Sequence, residues 1–218
     1  MLRIYSVSDD YIDYLRQDPK LWNVEDGKPG RRAHTRKYLG VVLEENVGEN
    51  TFHYFVPFAS PKKSDYKILR DGTKIIRKSI VPIIRMTTRD TKSGREELKG
   101  TLKLSNMIPV PSSELRPYNF GHEKDENYKI VVQKEYAFIR SHAKQIQKNA
   151  RILYNQKTRE NEYYPNGEGP GYLKSTVDFK YAEQKCLEYQ REKGLQQAKK
   201  PKLNLDNMIK KAEDKRGR

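Results

Sequence analysis

Apolar and polar positions divide this chain into a strand-rich first half and a helix-rich second half. Leu2 to Val7 alternates and predicts a strand. Ser8 then caps a short helix, Asp9 to Gln17, with Tyr11, Ile12, Tyr14 and Leu15 apolar, and Asp18-Pro19 ends it. The stretch from Lys20 to Thr35 is irregular and becomes basic at Arg31-Arg32. Lys37 to Glu44 is nearly all apolar, as expected of a strand buried on both faces. Asn46 to Asn50 turns the chain and Thr51 to Phe58 returns it. Tyr66–Arg70 and Thr73–Arg77 flank Asp71-Gly72, a preferred pair for a two-residue hairpin turn because both positions tolerate positive φ. Ile80 to Thr88 and Leu98 to Val110 read as further strands, with Pro82 and Pro109 at edges or strand ends.

In the second half, Glu123 to Gln156 predicts one long helix. Its stripe runs through Tyr128, Val131/Val132, Phe138/Ile139, His142/Ala143, Ile146, Ala150 and Leu153, with a candidate break near Ser141. Thr158 to Gly171 is a loop rich in Gly, Pro and Tyr, and Asp178 caps a shorter helix ending near Arg191. After Gly194 the chain is lysine-rich and too poor in apolar residues to fold alone, apart from a short helical pattern at Leu205 to Ala212. Strands followed by helices predict an α+β fold: a compact, twisted, mostly antiparallel sheet with helices packed on it. Residues 1–194 form the expected domain and 195–218 a basic tail.

Charge changes the picture. The 218 residues carry a formal charge of +15, which points to a polyanionic partner: RNA, DNA or an anionic membrane surface. The single cysteine, Cys186, excludes an intramolecular disulfide and a cysteine-based zinc cluster. No apolar run approaches the roughly 20 residues that span a bilayer, and the first residues lack a signal-peptide pattern. The chain therefore reads as soluble and cytoplasmic, with no cofactor and no metal site.

The candidate chemistry lies where the second strand of the first pair ends, at Phe58-Ala59-Ser60-Pro61-Lys62-Lys63. A hydroxyl on a corner stiffened by proline, with cations beside it, suits a phosphodiester. The Arg31-Arg32 and Arg36-Lys37 cluster and His34 lie just before the first strand of that pair. His53, His122 and His142 read as structural.

Tyr38-Leu39-Gly40-Val41-Val42-Leu43-Glu44, followed by Phe58-Ala59-Ser60-Pro61-Lys62, resembles the type III toxin–antitoxin endoribonucleases, the ToxN/AbiQ-like family. The likeness extends to Ile4-Tyr5-Ser6, Tyr11-Ile12-Asp13-Tyr14-Leu15, Asn106-Met107-Ile108-Pro109-Val110, Tyr136-Ala137-Phe138-Ile139-Arg140 and Asp178-Phe179. The resemblance implies a partly open barrel related to the MazF/Kid toxins. It also implies metal-independent RNA cleavage that leaves a 2′,3′-cyclic phosphate and a 5′-hydroxyl. The implied partners are a small repeated antitoxin RNA pseudoknot, which the toxin cuts from its precursor, and cellular or phage mRNA. Phage defence by abortive infection and rings of alternating protein and RNA go with it. Carried over by residue, the site falls on Arg36, Ser60 and Lys62, with Ala59 where the family usually has Thr or Ser. Arg31, Arg32, Lys37, Lys63, Lys199 and Lys200 are the expected RNA-binding cations. Arg36 can stabilise a phosphorane but not shuttle a proton; Lys62, Lys37 and His34 are the groups able to. Two other readings stay open on the residues alone: a non-catalytic RNA-binding module, and a ribonuclease toxin neutralised by a protein antitoxin. The role of the Tyr66–Arg77 hairpin is not implied by the resemblance.

Overall fold

The computed structural model describes residues 2–24, 36–90 and 93–199, the last four by backbone alone. Strand β1 (Arg3–Val7) leads into helix α1 (Asp9–Arg16), where Ser8 accepts a hydrogen bond from the Tyr11 N–H and Tyr11, Ile12 and Leu15 are buried. Strands β2 (Lys37–Val47) and β3 (Asn50–Ala59) form the long hairpin at the centre of the sheet. Both run further than their apolar cores predict, because the ladder continues through the polar pairs Glu44↔His53 and Asn46↔Thr51. The register slips between Leu39 and Leu43, at Gly40-Val41-Val42. Here the Phe55 ring fills the space beside the Gly40 backbone: a Cβ on Gly40 would sit 2.1 Å from it.

A small separate hairpin follows, β4 (Tyr66–Ile68) and β5 (Lys74–Ile76), in the predicted place but with its register shifted by one residue, Ile68 facing Lys74 rather than Ile75. Its turn differs from the expected two-residue form. The Leu69 carbonyl accepts from the Gly72 N–H, and Leu69 N–H bonds to Thr73, so three residues make the loop. Only Gly72 has positive φ, whereas the two-residue turn needs it at both central positions.

Strands β6 (Ile83–Arg89) and β7 (Glu96–Lys103) pair with each other, and β7 adds to β3. The predicted strand Leu98–Val110 is broken: a 3-10 turn at Leu104–Asn106 separates β7 from the two-residue β8 (Ile108–Pro109). A short β9 (Leu115–Pro117), not anticipated from the pattern, pairs with β1. The strand order is β6-β7-β3-β2-β1-β9, with β8 also on β3. All described pairings are antiparallel and the path is open, ending at β6 and β9; the sheet is not a closed barrel.

Helix α2 (Glu126–Thr158), capped by Asp125, lies across β2, β6 and β7 and buries Val132, Ile139, Ile146, Ala150 and Leu153. It is continuous through Ser141, whose hydroxyl bonds back to the Phe138 carbonyl at 2.9 Å. His142, expected on the apolar stripe, is exposed and stacks on Phe138, since the inward line passes through Ile139 and Ile146. The expected loop contains a one-turn α3 (Glu160–Tyr163) and a 3-10 segment at Gly171–Ser175. Helix α4 (Phe179–Lys199) continues through Gly194 rather than stopping near Arg191. It packs on α1, α2 and β8, and its buried Glu183 accepts from the hydroxyls of Tyr54 and Tyr154. No described helix is long and apolar enough to cross a membrane.

Candidate RNA-cleavage site

The site is built where β3 runs out of the sheet. Ala59 is the last residue of β3, paired with Thr101 of β7, and Thr101 is paired with Arg85 of β6. Extended two steps beyond Tyr38↔Pro57, past the start of β2, the same register would set Arg36 opposite Ala59. One strip across the strands therefore runs Arg36, Ala59, Thr101, Arg85. Alternation along strands sends their neighbours, Leu102, Gly100, Ile84 and Met86, toward the other face, where α2 lies.

Ser60 and Pro61 leave the ladder exposed, and Lys62 and Lys63 follow, also exposed. What holds this turn is a residue the sequence reading passed over. Asp65 is 6% exposed, and its carboxylate accepts from the Lys62 N–H at 2.8 Å and from Arg85 Nε at 3.1 Å. Its own N–H donates to the Lys62 carbonyl at 3.0 Å, closing the turn from both sides. Arg85, 7% exposed, makes a second bond to Asp65 at 3.1 Å and donates to the Lys78 carbonyl at 2.8 Å. A buried carboxylate is tolerable only when paired and hydrogen-bonded, and here both conditions hold. The only sequence signal was an acid among cations just after Ser-Pro-Lys-Lys. Its partner lies 20 positions away, beyond the reach of local pattern.

The expected cations do not all share this location. Arg36 is half-buried at the foot of β2. Lys37 is buried, with its ammonium 4.5 Å from the centre of the Tyr118 ring. Burial lowers its pKa and nearby Glu123 opposes that shift. Tyr118 in turn donates to Glu123 at 3.1 Å. Lys37 is thus packed under an aromatic ring rather than presented on an exposed docking face, because its strand position lies within the sheet beside β1. Arg31, Arg32, His34, Lys200 and the tail beyond lie outside the described residues, as does the side chain of Lys199.

Behind the strip, on the α2 side, sits a second residue that sequence reading missed. Glu135 of α2 is buried over Gly100, where a Cβ would lie 1.9 Å from the carboxylate oxygen. Burial pushes its pKa up to about 8.

This geometry defines a class: an α+β protein that presents a hydroxyl–proline–lysine corner at a sheet end in a strongly basic chain. The model of a family described as "Toxin ToxN, type III toxin-antitoxin system" matches residues 3–187, and the chain belongs to that family. It is 30% identical over 196 residues to the endoribonuclease AbiQ of Lactococcus lactis subsp. lactis, covering 89% of this chain and 93% of AbiQ. It is 27% identical over 190 residues to the endoribonuclease ToxN of Bacillus thuringiensis subsp. kurstaki, covering 86% and 84%. Among solved structures it is similar to AbiQ, a lactococcal anti-phage endoribonuclease of the type III class. The TM-score is 0.64 at 27% identity over 88% of this chain and 99% of that one. A second type III toxin structure, described for selective inhibition by a non-coding RNA pseudoknot, shares the fold. Its TM-score is 0.62 at 24% identity, over 87% and 98% of the chains.

Proposed function

We propose that this protein is the endoribonuclease toxin of a type III system, cutting single-stranded RNA at the Ser60–Lys62 turn and held inert by its antitoxin RNA. The observation that carries the reading is the turn itself. Ser60 and Lys62 are exposed at the end of β3, and the buried Asp65–Arg85 pair fixes the backbone beneath them. A site that must align a phosphodiester gains from a rigid mount.

In the proposed reaction the 2′-hydroxyl of the RNA attacks the adjacent phosphorus. The O2′–P bond forms and the P–O5′ bond breaks, leaving a 2′,3′-cyclic phosphate and a 5′-hydroxyl. The 2′-hydroxyl loses its proton to a base and the departing O5′ gains one from an acid. Ser60 holds a non-bridging oxygen or the 2′-hydroxyl. Arg36 and Lys62 offset charge on the dianionic phosphorane, and Lys62 is the mobile proton carrier of the described residues. Ala59 leaves one hydroxyl fewer than the family pattern, which puts more of the positioning on Ser60.

The partners on this reading are an antitoxin RNA pseudoknot, cut from a repeated precursor and retained in an alternating protein–RNA ring, and cellular or phage mRNA. We also assign the cytoplasm as the place of action, and we place the open sheet as a relative of the MazF/Kid core. The antiparallel β2–β3 centre with a helix across one face supports that kinship.

Purified protein incubated with RNA in excess EDTA tests the chemistry. The expected result is cleavage with cyclic-phosphate and 5′-hydroxyl ends. Activity that disappears and returns with magnesium, or products with 3′-hydroxyl ends, would overturn the mechanism.

A further inference from the structure

The β4–β5 hairpin has no role in the chemistry above, yet it is fastened to the cleavage turn. The Asp65 side chain holds Lys62, while its backbone carbonyl accepts from the Arg77 N–H at 2.9 Å, where the hairpin returns. Turn and hairpin therefore share one anchor. Arg77 Nε closes the hairpin base onto the Tyr66 carbonyl at 3.1 Å.

The segment Lys62–Lys78 holds seven basic residues, Lys62, Lys63, Lys67, Arg70, Lys74, Arg77 and Lys78, against Asp65 and Asp71. Both acids are already engaged: Asp65 with Arg85, and Asp71 with the Thr73 N–H at 2.9 Å. Lys67, Arg70 and Lys78 are exposed and make no ion pair among the described residues. Tyr66, Lys74 and Ile76 look onto β7 at Glu96–Lys99. Lys67 and its cross-strand partner Ile75 lie on the opposite, outward side. Ile68 is 71% exposed on the side of its cross-strand partner Lys74, and Ile75 is 40% exposed on the outward side, so the hairpin carries one bare isoleucine on each face. A solvated finger has no need of two bare isoleucines. A finger gripping unstacked bases does, because base faces are apolar while the backbone beside them is anionic.

We infer that the β4–β5 hairpin is a clamp for the single-stranded RNA flanking the scissile phosphodiester: its cations take backbone phosphates and its isoleucines take splayed bases. The inference rests on the ribonuclease reading above and adds the element that sets affinity for the flanking strand. Duplex RNA is not its ligand, since paired bases hide the faces the isoleucines would meet.

The test compares wild-type protein with the Lys67→Ala/Arg70→Ala/Lys78→Ala variant and with Ile68→Ser/Ile75→Ser. The probes are a 5-nucleotide substrate, a 20-nucleotide single strand containing it, and a 20-base-pair duplex. All three positions of the first variant are exposed, so it keeps its fold; thermal melting checks this. For the long strand the expected slope of log affinity against log salt falls by about 2, from three contacts at roughly 0.7 each. The serine variant should weaken the long strand about tenfold with its slope unchanged. Single-turnover cleavage of the 5-mer at saturation should match wild type for both. Unchanged affinity and slope on the long strand, or equal weakening on the duplex, would overturn the clamp. Failure of wild-type protein to cut any RNA would instead overturn the ribonuclease reading.

Discussion

The strip where β3, β7 and β6 meet has two faces, and they are built on opposite principles. One carries Ala59, Thr101 and Arg85, opens toward solvent at Ser60 and Lys62, and is organised by ion pairing through Asp65. The other carries Leu102, Gly100, Ile84 and Met86, is covered by α2, and is organised by packing, with Glu135 as its one buried carboxyl. Consecutive residues of the same strands supply both faces. A carboxylate survives burial on either face, but by different routes. Asp65 is paired with a guanidinium, whereas Glu135, with its pKa pushed up to about 8 by burial, spends most of its time protonated at neutral pH.

This comparison breaks most severely at Asp65. Asp65→Ala leaves Arg85 buried without its partner and removes the bond that shapes the Lys62 turn. The expected loss is about 3–5 kcal/mol in chemical denaturation, together with cleavage. If the variant keeps wild-type stability, the pair is not the mount.

Ser60→Ala and Lys62→Ala should separate chemistry from stability. Each is expected to slow single-turnover cleavage by about 10²–10³, while the melting temperature stays put. Wild-type rates in folded Ser60→Ala protein would remove Ser60 from the site.

Glu135→Gln should act in the opposite sense, on stability and not on chemistry. The folded-state pKa of about 8 lies above the ordinary carboxyl value of 4.5. The contribution of protonated Glu135 is therefore complete below pH 4.5 and is lost as pH rises through about 8. Within that window it falls by about 1.4 kcal/mol per pH unit. The glutamine variant should flatten this slope in denaturation series at pH 5, 7 and 9. An unaltered slope would mean that Glu135 is charged where it lies.

The smallest effect is expected for the conservative change at Arg36. Arg36→Lys keeps the charge and should cost about tenfold or less in rate, while Arg36→Ala should cost as much as losing Lys62. A lysine variant as impaired as the alanine one would show that the bidentate guanidinium geometry is required.

The strands and helices were legible because their patterns are local: Ser8 and Asp178 at helix starts, alternation in β1, apolar runs in β2 and β3. Boundaries moved where long-range pairing decided them. The polar ladder Glu44↔His53 lengthened β2, and the turn at Leu104–Asn106 divided what looked like one strand. At the candidate site, Ser60 and Lys62 were visible as a motif, but their support was not. Asp65 finds Arg85 across 20 positions, and Glu135 finds Gly100 across a helix–sheet interface. The surroundings of Lys37 were hidden for the same reason: its residue type suggested an exposed cation, while Tyr118, far along the chain, covers it.

Helix α4 closes over α1. The Tyr189 ring meets those of Tyr11 and Tyr14 at 4.9 and 5.0 Å, and Tyr181 donates to Asp18 at 2.6 Å across 163 positions. Helix α1 therefore waits for a helix made much later in the chain before its apolar side is covered. Until then Tyr11, Ile12 and Leu15 lack that cover, and β1 is without its β9 neighbour. For a protein whose activity threatens the cell that makes it, such distant closure has a temporal meaning. The nascent chain carries the Ser60 corner early, but the body that holds it is completed only after α4 has been made, so the corner and the working enzyme are separated in time during synthesis.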